Sequence, residues 1–351
     1  MTQSGARRTG SARPTLADVA REAGVSTALV SIVMRGVPGA SDATRTRVRA
    51  IADDMGYVRD ERARKLRQSS SRLIGVTFEI QQAFHGDLVE HLYTAAAARG
   101  YDLAISAVAP SRDEQVAIHA LLRERCEVAV LLGSTLSDDD LAATASRVPL
   151  LLVARRTALD DVSSVHSDDT VGVGLAVDHL VALGHRDLVH VDGGSAPGAD
   201  DRRLGFRLAM RRHGLDDRDR VVAGGPTEHD GARAMAQVLD ACTARPTGVV
   251  AFNDRCAAGV LDVLVRRRID VPADVSVIGY DDSRLAIGPH AQLSTVSQNA
   301  AEMAEAAVDG ALDLLDGNPS KEVVLTPHLV PRTTTAAPAR ATPASGAELS
   351  T

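Results

Sequence analysis

Two stretches in the second half of the chain place hydrogen-bonding side chains directly after apolar runs. Asn253 and Asp254 follow one run, and Asp281 and Asp282 follow the next. If the runs are parallel strands, small molecules bind at their carboxyl ends, where amide and carboxylate groups can hold hydroxyls or amines. Asn and Asp residues before a helix also cap it. We expect capping from Asp254 and Asp282, and ligand binding from Asn253 and Asp281.

A different chemistry is indicated near the N-terminus, where residues 15–36 have the spacing of a helix-turn-helix. Two helices that cross at a wide angle need a small side chain at their contact, here Ala20, and a turn residue that tolerates positive φ, here Gly24. Aliphatic side chains that can lock the corner lie at Val19, Val25, Val30 and Val33. An ordinary helical hairpin has the same pattern, so the motif alone leaves both possibilities open.

The second of these helices carries side chains suited to reading bases. Thr15, in a capping box with Asp18, is the predicted N-cap of the first helix, and Ser26 is that of the second. The exposed face of the second helix then presents Thr27, Ala28, Ser31 and Ile32. In a major groove the two hydroxyl side chains can hydrogen-bond to base edges, and the alanine and isoleucine can contact thymine methyl groups.

A third helix and a cationic segment follow. Ser41 is a predicted N-cap, and apolar residues at helical spacing continue to Met55. Residues 59–72 are rich in Arg, with Leu66 alone among the cations. Such a segment is usually a solvated linker. It also suits a helix that folds on DNA and wedges Leu66 between base steps in the minor groove.

The distribution of charge supports DNA binding by the N-terminal part. Residues 1–72 hold 14 Lys and Arg against 7 Asp and Glu, and the whole chain has a formal net charge of −7. A head of +7 therefore leaves −14 for the rest of the chain. A basic head on an acidic body is expected when only the head binds DNA.

These motifs, in this order, resemble those of the LacI/GalR family of bacterial transcription regulators. The resemblance is carried by residues 15–26, by Ala-Arg-Lys-Leu-Arg at 63–67 and by Leu-Ile-Gly-Val at 73–76, and it extends over nearly the whole chain. The positions from which we expect DNA contacts are Thr15, Ser26, Thr27, Ala28, Ser31, Ile32, Ala63, Lys65, Leu66 and Arg67. Ala28 and Ile32 depart from the polar readers of many members, so the operator sequence does not follow from the family.

The resemblance also implies an effector cleft. It assigns effector contacts to Asn253 and Asp281, to Arg202 before a Gly-aromatic pair, and to Phe84 and His85 in the loop after the first strand of the core. A guanidinium at Arg202 would offer a planar fork to a hydroxyl pair or a carboxylate.

The effector itself is expected to be a sugar or a sugar derivative. Pro226 stands where several sugar- and purine-responsive members have an aromatic wall, so a stacking surface is missing.

The rest of the chain predicts a two-lobed α/β core. With 351 residues, of which 44% are hydrophobic, it can form two or three cores. Short β-rich runs alternate with helical stretches from residue 73 onward, which predicts two doubly wound parallel sheets. The strands are predicted at 73–78, 102–106, 128–132, 150–154, 188–192, 249–252 and 275–279, and the helices at 86–99, 170–183, 202–213, 231–241 and 255–268.

The predicted fold is thus an all-α helix-turn-helix head followed by a core like that of periplasmic binding proteins. The predicted segments are a disordered arm at 1–14, the head at 15–57, a hinge at 58–72, the core at 73–332 and a disordered tail at 333–351. Within the core, one subdomain spans about 73–166 with a later return, and the other spans about 167–292 with the final strands.

A mechanism follows from these parts. One head reads few base pairs, so a homodimer on a near-palindromic operator is expected, and the resemblance places a CG step at its centre. Effector binding would move the lobes and the hinges. We expect a repressor that the effector releases, although an effector that tightens DNA binding, in a corepressor or activator mode, uses the same parts.

Other functions find less support. A solute-binding protein would have a similar core, but no signal peptide or membrane span is evident, and a cytoplasmic location is expected. Cys126, Cys242 and Cys256 are too few and odd in number for a disulfide framework. No catalytic nucleophile with a base, metal-ligand cluster or close carboxylate pair is apparent, so we expect no enzyme, no cofactor and no metal site.

Overall fold

The computed structural model describes residues 14–57, 70–218, 220–241, 245–288 and 292–338. The chain divides into two compact units, Met1–Ser71 and Arg72–Thr351, which we call the head and the body. Within the described residues, no helix is both long enough and apolar enough to cross a membrane.

The head consists of helices α1 (Leu16–Ala23), α2 (Thr27–Arg35) and α3 (Asp42–Asp54). The predicted N-caps are confirmed. Thr15 and Asp18 form the capping box, Ser26 accepts a hydrogen bond from the backbone N–H of Leu29, and Ser41 accepts one from Thr44. Gly24 ends α1 at φ 64°, as the turn requires.

The three helices enclose a small apolar core. Its buried members are Val19, Ala20, Ala23, Val30, Val33, Val48 and Ala52. Val25 packs against this core from a half-buried position. The corner residues predicted from the sequence therefore hold α1 against α2.

The body contains two lobes. The first, the N-lobe, is built from β1 (Leu73–Glu79), α4 (Ala83–Ala98), β2 (Asp102–Val108), α5 (Glu114–Arg123), β3 (Val128–Leu132), α6 (Asp138–Ala145), β4 (Leu150–Val153) and β5 (Ser163–Ser167), with α11 (Ala300–Leu315) and β11 (Glu322–Leu325) from later in the chain. Its strands form one parallel sheet in the order β11-β5-β4-β3-β1-β2.

The second lobe, the C-lobe, contains α7 (Asp169–Ala182), β6 (Leu188–Val191), α8 (Ala199–Arg212), β7 (Arg220–Val222), α9 (Glu228–Ala241), β8 (Gly248–Ala251), α10 (Asp254–Arg266), β9 (Ser276–Ile278), β10 (Thr295–Ser297) and β12 (His328–Val330). Four strands form a parallel sheet in the order β7-β6-β8-β9, and β10 pairs antiparallel with β12. The two parallel sheets confirm the predicted fold class.

The chain passes between the lobes at three places. It leaves the N-lobe between β5 and α7, returns between β10 and α11, and leaves again between β11 and β12. Asn299, at the second crossover, caps α11 with its backbone in the left-handed region at φ 55°. Residues at these crossovers therefore control how the lobes stand relative to each other.

The prediction of a disordered tail from residue 333 is wrong for residues 333–338. Thr334 is buried, and its hydroxyl donates to the carbonyl of Val277 at 2.7 Å and accepts from the backbone N–H of Ser294 at 2.8 Å. The backbone of Ala336 exchanges hydrogen bonds with the Ser276 hydroxyl. Pairing with β9 overrides the low-complexity composition here, and residues 339–351 lie outside the described part of the chain.

Candidate ligand-binding cleft and DNA-reading helix

Arg202 is the centre of a buried polar cluster in the C-lobe. It lies in the first turn of α8 and is 5% exposed. Its Nη1 donates to the carbonyl of Phe252 at 2.7 Å, and its Nε donates to Asp169 Oδ1 at 3.2 Å. The guanidinium also lies 3.8 Å from the centre of the Tyr280 ring. These contacts hold the planar cation in one orientation.

Asp281 closes the cluster on the other side. Its Oδ1 lies 3.8 Å from Arg202 Nη1 and accepts a hydrogen bond from Gln298 Nε2 at 2.7 Å. Gln298 in turn accepts from the hydroxyl of Ser167 at 2.7 Å. Burial raises the pKa of Asp281 to about 8, although the Arg202 cation opposes that rise. The cluster thus connects Ser167 at the first crossover and Gln298 at the second to the carboxyl group of Asp281, which follows β9.

The expected division of labour at the next strand end is wrong. Asn253, and not Asp254, caps α10: its Oδ1 accepts from the backbone N–H of Cys256 at 2.8 Å, while its Nδ2 donates to the carbonyl of Pro226. Asp254 is already helical, and its buried carboxylate accepts hydrogen bonds from the backbone and hydroxyl of Ser283. The cap must be the last residue with extended backbone, which is Asn253 at φ −149°.

Asp282 does not cap a helix either. Its carboxylate forms an ion pair with Arg332 at 2.6 Å. The expectation that Asp254 and Asp282 cap helices is therefore wrong: Asp254 bonds to Ser283, and Asp282 bonds to Arg332.

Phe84 and His85 lie in the first turn of α4 and not in a loop. The expected loop is therefore wrong, and Phe84 is 5% exposed, packs in the N-lobe core and lines neither of the two cavities described below. Its aromatic ring is buried because α4 begins sooner after β1 than the sequence indicates. Only its neighbour has a polar group to offer.

His85 is buried, but its two ring nitrogens differ. Its Nδ1 accepts the backbone N–H of Glu79 at 3.1 Å, which fixes the proton on Nε2. Burial lowers the pKa of His85 to about 4, so the ring is neutral at pH 7. Nε2 lies so close to Gly133 that a Cβ there would be 2.8 Å away.

Two cavities lie between the lobes. One of about 310 Å³ is lined by Ser134, Thr135 and Arg155 from the N-lobe and by Asp169 and residues 195–201 from the C-lobe. The other, of about 340 Å³, is lined by Asp87, Glu90, Asp281, Arg284 and Asn299, among others. Asp169 and Asp281 both contact Arg202, so the buried cluster stands between the two cavities.

The arrangement suits a small polar ligand. Within the described residues, Arg202 Nη2, Asp281 Oδ2 and His85 Nε2 make no hydrogen bond. Asp281 lines the second cavity, and Arg202 lies behind it, in contact with Asp281 and with Asp169 of the first cavity. Both side-chain polar atoms of Asn253 are already used. Among these residues no group of His, Cys, Asp and Glu is placed to hold a metal ion.

The sequence did not identify Ser167, Asp169 or Gln298 as part of this cluster. The bonds that join them to the rest of the cluster span 17 to 131 residues: Gln298 to Asp281, Asp169 to Arg202 and Ser167 to Gln298, so no local spacing predicts these contacts. The Asp168-Asp169 pair before α7 was the available signal: Asp168 caps the helix, and the second carboxylate is free to meet Arg202.

In the head, Thr27 and Ala28 are exposed on α2, and Ser31 and Ile32 are half-buried. Ile32 faces the turn at Gly39, where a Cβ would be 3.4 Å from its side chain. Thr15 is tied to Asp18, since its hydroxyl donates to that carboxylate at 2.6 Å. The predicted hinge contacts Ala63, Lys65, Leu66 and Arg67 lie outside the described residues.

Comparison with known proteins agrees with this arrangement of head and body. Residues 15–60 match the model of bacterial regulatory proteins of the lacI family, and residues 177–335 match a periplasmic binding protein-like domain. Over 331 residues the chain is 33% identical to the HTH-type transcriptional regulator GalR of Escherichia coli K12, covering 92% of this chain and 96% of the relative. The chain belongs to the LacI family. It is a DNA-binding transcriptional regulator.

Other members resemble this LacI-family regulator along most of their length. The HTH-type transcriptional repressor CytR of E. coli K12 is 30% identical, over 86% of this chain and 90% of CytR. A LacI transcriptional regulator from a Rhodococcus species is 58% identical over 76% of this chain and all of that chain, with a TM-score of 0.75.

Two further structures are informative about ligands. The Lac repressor dimer bound to operator and the anti-inducer ONPF has a TM-score of 0.76 at 28% identity, over 93% of this chain and all of that chain. The complex of the regulator CelR with cellobiose has a TM-score of 0.67 at 26% identity, over 92% of this chain and all of that chain.

Proposed function

We propose that this LacI-family regulator is a repressor whose affinity for its operator falls when a sugar or sugar derivative binds between the lobes of the body. The observation that carries the proposal is the Arg202 cluster, a preorganised cation between the carboxyl groups of Asp169 and Asp281, each of which lines one of the two interlobe cavities. The CytR repressor and the CelR–cellobiose complex support repression and a sugar effector, respectively.

The proposed effector contacts are Arg202, Asp281 and His85. Arg202 Nη2 would donate to a hydroxyl, and Asp281 Oδ2 would exchange a hydrogen bond with another. His85 Nε2–H is a donor and would face an oxygen acceptor. Asn253 would not contact the effector directly but would hold the loop at Pro226 through its hydrogen bond to that carbonyl.

The residues that line the two interlobe cavities favour a small ligand that does not need to stack on an aromatic ring. Among the described residues no Phe, Tyr or Trp side chain lines either cavity, in line with Pro226 at the position where several family members have an aromatic wall. A volume of about 310 Å³ lies at the lower end of the range for small-molecule sites. We therefore favour a monosaccharide or an acyclic polyol over a nucleoside.

On DNA, the proposal is a homodimer on a near-palindromic operator with a central CG step. The side chains that would enter the major groove are those of Thr27, Ala28, Ser31 and Ile32. Thr15 and Ser26 would lie near the phosphate backbone of the DNA, since helix N-termini attract phosphates. The hinge at 58–72 would fold in the minor groove with Leu66 wedged between base pairs.

A regulator that acts on bacterial chromosomal DNA works in the cytoplasm. The cleft would bind its ligand without transforming it, because Arg202, Asp281 and Asp169 are engaged with one another and with the protein backbone instead of forming a nucleophile and base. The relatives are transcription regulators, which agrees with this reading.

The experiment is selection of operator DNA followed by release with sugars. The full-length protein is incubated with random double-stranded DNA, and retained DNA is sequenced. A near-palindrome with a central CG step is expected, whereas failure to enrich any sequence would contradict the proposed operator. The selected DNA is then titrated with the protein in the presence of a panel of monosaccharides and polyols at millimolar concentration.

At least one member of the panel is expected to weaken operator binding. The matched variants are Arg202→Ala, which removes the buried cation, and Arg211→Ala, which removes an exposed arginine from the same helix. We expect Arg202→Ala to bind the operator with unchanged affinity and to lose release by the sugar, and Arg211→Ala to behave as the parent. Release that persists in Arg202→Ala would remove this cluster from the effector site.

A further inference from the structure

Arg284 of the C-lobe reaches across the cleft to α4 of the N-lobe. Its Nε donates to Asp87 Oδ1 at 2.6 Å, and its backbone N–H donates to Asp87 Oδ2 at 3.1 Å. Its Nη2 lies 2.5 Å from Asp87 Oδ1 and 3.4 Å from Glu90 Oε2. Asp87 therefore accepts hydrogen bonds from both the side chain and the backbone of Arg284. We call this Asp87–Arg284 pair the interlobe clasp.

Both ends of the clasp belong to firmly packed elements. Asp87 lies on α4 between Phe84 and Leu88, which are buried in the N-lobe core. Arg284 directly follows Ser283, whose backbone and hydroxyl donate to the buried carboxylate of Asp254. Because neither partner is on a free loop, the distance between them reports the spacing of the two lobes.

A second ion pair also joins the lobes, and comparison with it shows why the clasp matters more. Arg156 lies 3.4 Å from Asp201, with 60% of the arginine side chain exposed. The Arg284 side chain is equally exposed, at 59%, but its partner Asp87 is 17% exposed, against 29% for Asp201, and Asp87 accepts hydrogen bonds from both the Nε and the backbone N–H of Arg284. Short, partly buried, multiply bonded pairs are screened less by solvent than a single exposed contact.

The clasp connects the segments that supply the ligand contacts. Asp87 is two residues from His85 on one lobe, and Arg284 is three residues from Asp281 on the other, and both partners line the second cavity. We propose that Asp87 and Arg284 are positioning residues that hold the lobes at the spacing of the closed cleft before any ligand binds. This inference concerns the spacing of the lobes, and it holds whatever the effector is.

The test measures lobe spacing in the full-length protein without a ligand. Spin labels are attached at Ala143→Cys on α6 and Gln237→Cys on α9, both exposed positions, in a Cys242→Ser background. Cys126 and Cys256 are buried, so they react poorly with the label. Pulsed electron spin resonance then gives the distribution of distances between the two lobes.

The doubly labelled protein is mixed with an excess of unlabelled protein, so that most dimers carry one labelled protomer, and the parent is then expected to give one narrow distribution at 50 mM KCl. Arg284→Ala and the isosteric Asp87→Asn are each expected to shift and broaden it. In 1 M KCl, where the screening length falls to about 3 Å, the parent distribution should approach that of the variants, while the variants themselves change little.

Arg266→Ala is the matched control, because Arg266 pairs with Asp262 within one helix. It should leave the distribution unchanged. If Asp87→Asn keeps the circular dichroism of the parent and also its distance distribution, the clasp does not set lobe spacing. An equal shift in Arg266→Ala would overturn the proposal as well, since loss of any surface pair would then suffice.

Discussion

At the scale of single residues, the orientation of Arg202 depends on a glycine in another helix. Tyr280 is fully buried, and its ring lies against the Arg202 guanidinium. A Cβ at Gly172 would be 2.3 Å from the Tyr280 hydroxyl oxygen and 2.9 Å from two ring carbons. Because Gly172 has no side chain, the Tyr280 ring has room to pack against the Arg202 guanidinium.

Gly172→Ala should displace Tyr280 and disturb the ligand cluster. We expect the free energy of unfolding to fall by about 1–3 kcal/mol, as for other overpacked cores, and sugar-dependent release from the operator to weaken. The measurements are urea unfolding and the operator titration described above.

Gly174→Ala provides the control on the same helix. Its nearest neighbour for an added Cβ is the end of the Arg212 side chain at 3.8 Å, so the methyl group fits. Replacing a helical glycine with alanine should then stabilise the protein by up to about 1 kcal/mol and leave release intact. Equal destabilisation by both substitutions would show that helix α7 tolerates no change, and the argument about Tyr280 would fail.

At the scale of elements, the sequence predicted the parts whose signals are local. The three helices of the head begin at the predicted caps because Thr15, Ser26 and Ser41 can each bond to an amide three residues on. The strand predicted at 128–132 has the observed bounds because its run of Val, Ala and Leu is buried on both faces of a parallel sheet.

Elements whose burial depends on distant partners were not predicted. Strand β5 reads Ser-Ser-Val-His-Ser, yet it is completely buried between β4 and β11. Its hydroxyls are accommodated by partners far along the chain: Ser163 accepts from the backbone of Lys321, and Ser167 donates to Gln298. Arg202 and Asp281 were expected as site residues from the family resemblance, whereas nothing in the sequence connects Asp169 and Gln298 to them, and these two were not predicted.

The C-terminal segment gives a prediction at this scale. Because the composition of residues 339–351 predicts disorder, their removal should not change the free energy of unfolding. Removing 333–351 also deletes Thr334 and exposes the edge of β9, which should lower that free energy by about 2–4 kcal/mol because several buried hydrogen bonds are lost.

Point substitutions separate the hydrogen bonds from the length of the chain. Thr334→Val keeps the shape of the buried side chain and removes its hydroxyl, whereas Thr333→Val changes an exposed neighbour. Urea unfolding should show a loss for the first and no change for the second. A stable protein ending at residue 332 would mean that β9 needs no partner at this edge.

At the scale of the whole molecule, charge is divided between the two units. The head, residues 1–71, carries a net charge of +6 and the body carries −13, so phosphate contacts belong to the head and the body repels DNA. A dimer would bring two such heads to one operator.

Operator affinity should therefore fall steeply with salt. Each neutralised phosphate contributes a slope of about −0.9 to the logarithm of the binding constant against the logarithm of salt concentration. With about 6–10 contacts, affinity should drop by a factor of about 10³–10⁵ between 50 and 200 mM salt. Fluorescence anisotropy with the selected operator measures this slope.

Salt acts on the clasp as well, so the two effects must be separated. Arg284→Ala removes the clasp and leaves the charge of the head unchanged, because Arg284 lies in the body. If the steep dependence comes from phosphate contacts, parent and Arg284→Ala should give parallel lines, offset at most by a constant factor. A shallower line for Arg284→Ala would show that salt acts partly by releasing the lobes, and a flat line for the parent would contradict DNA binding through a basic head.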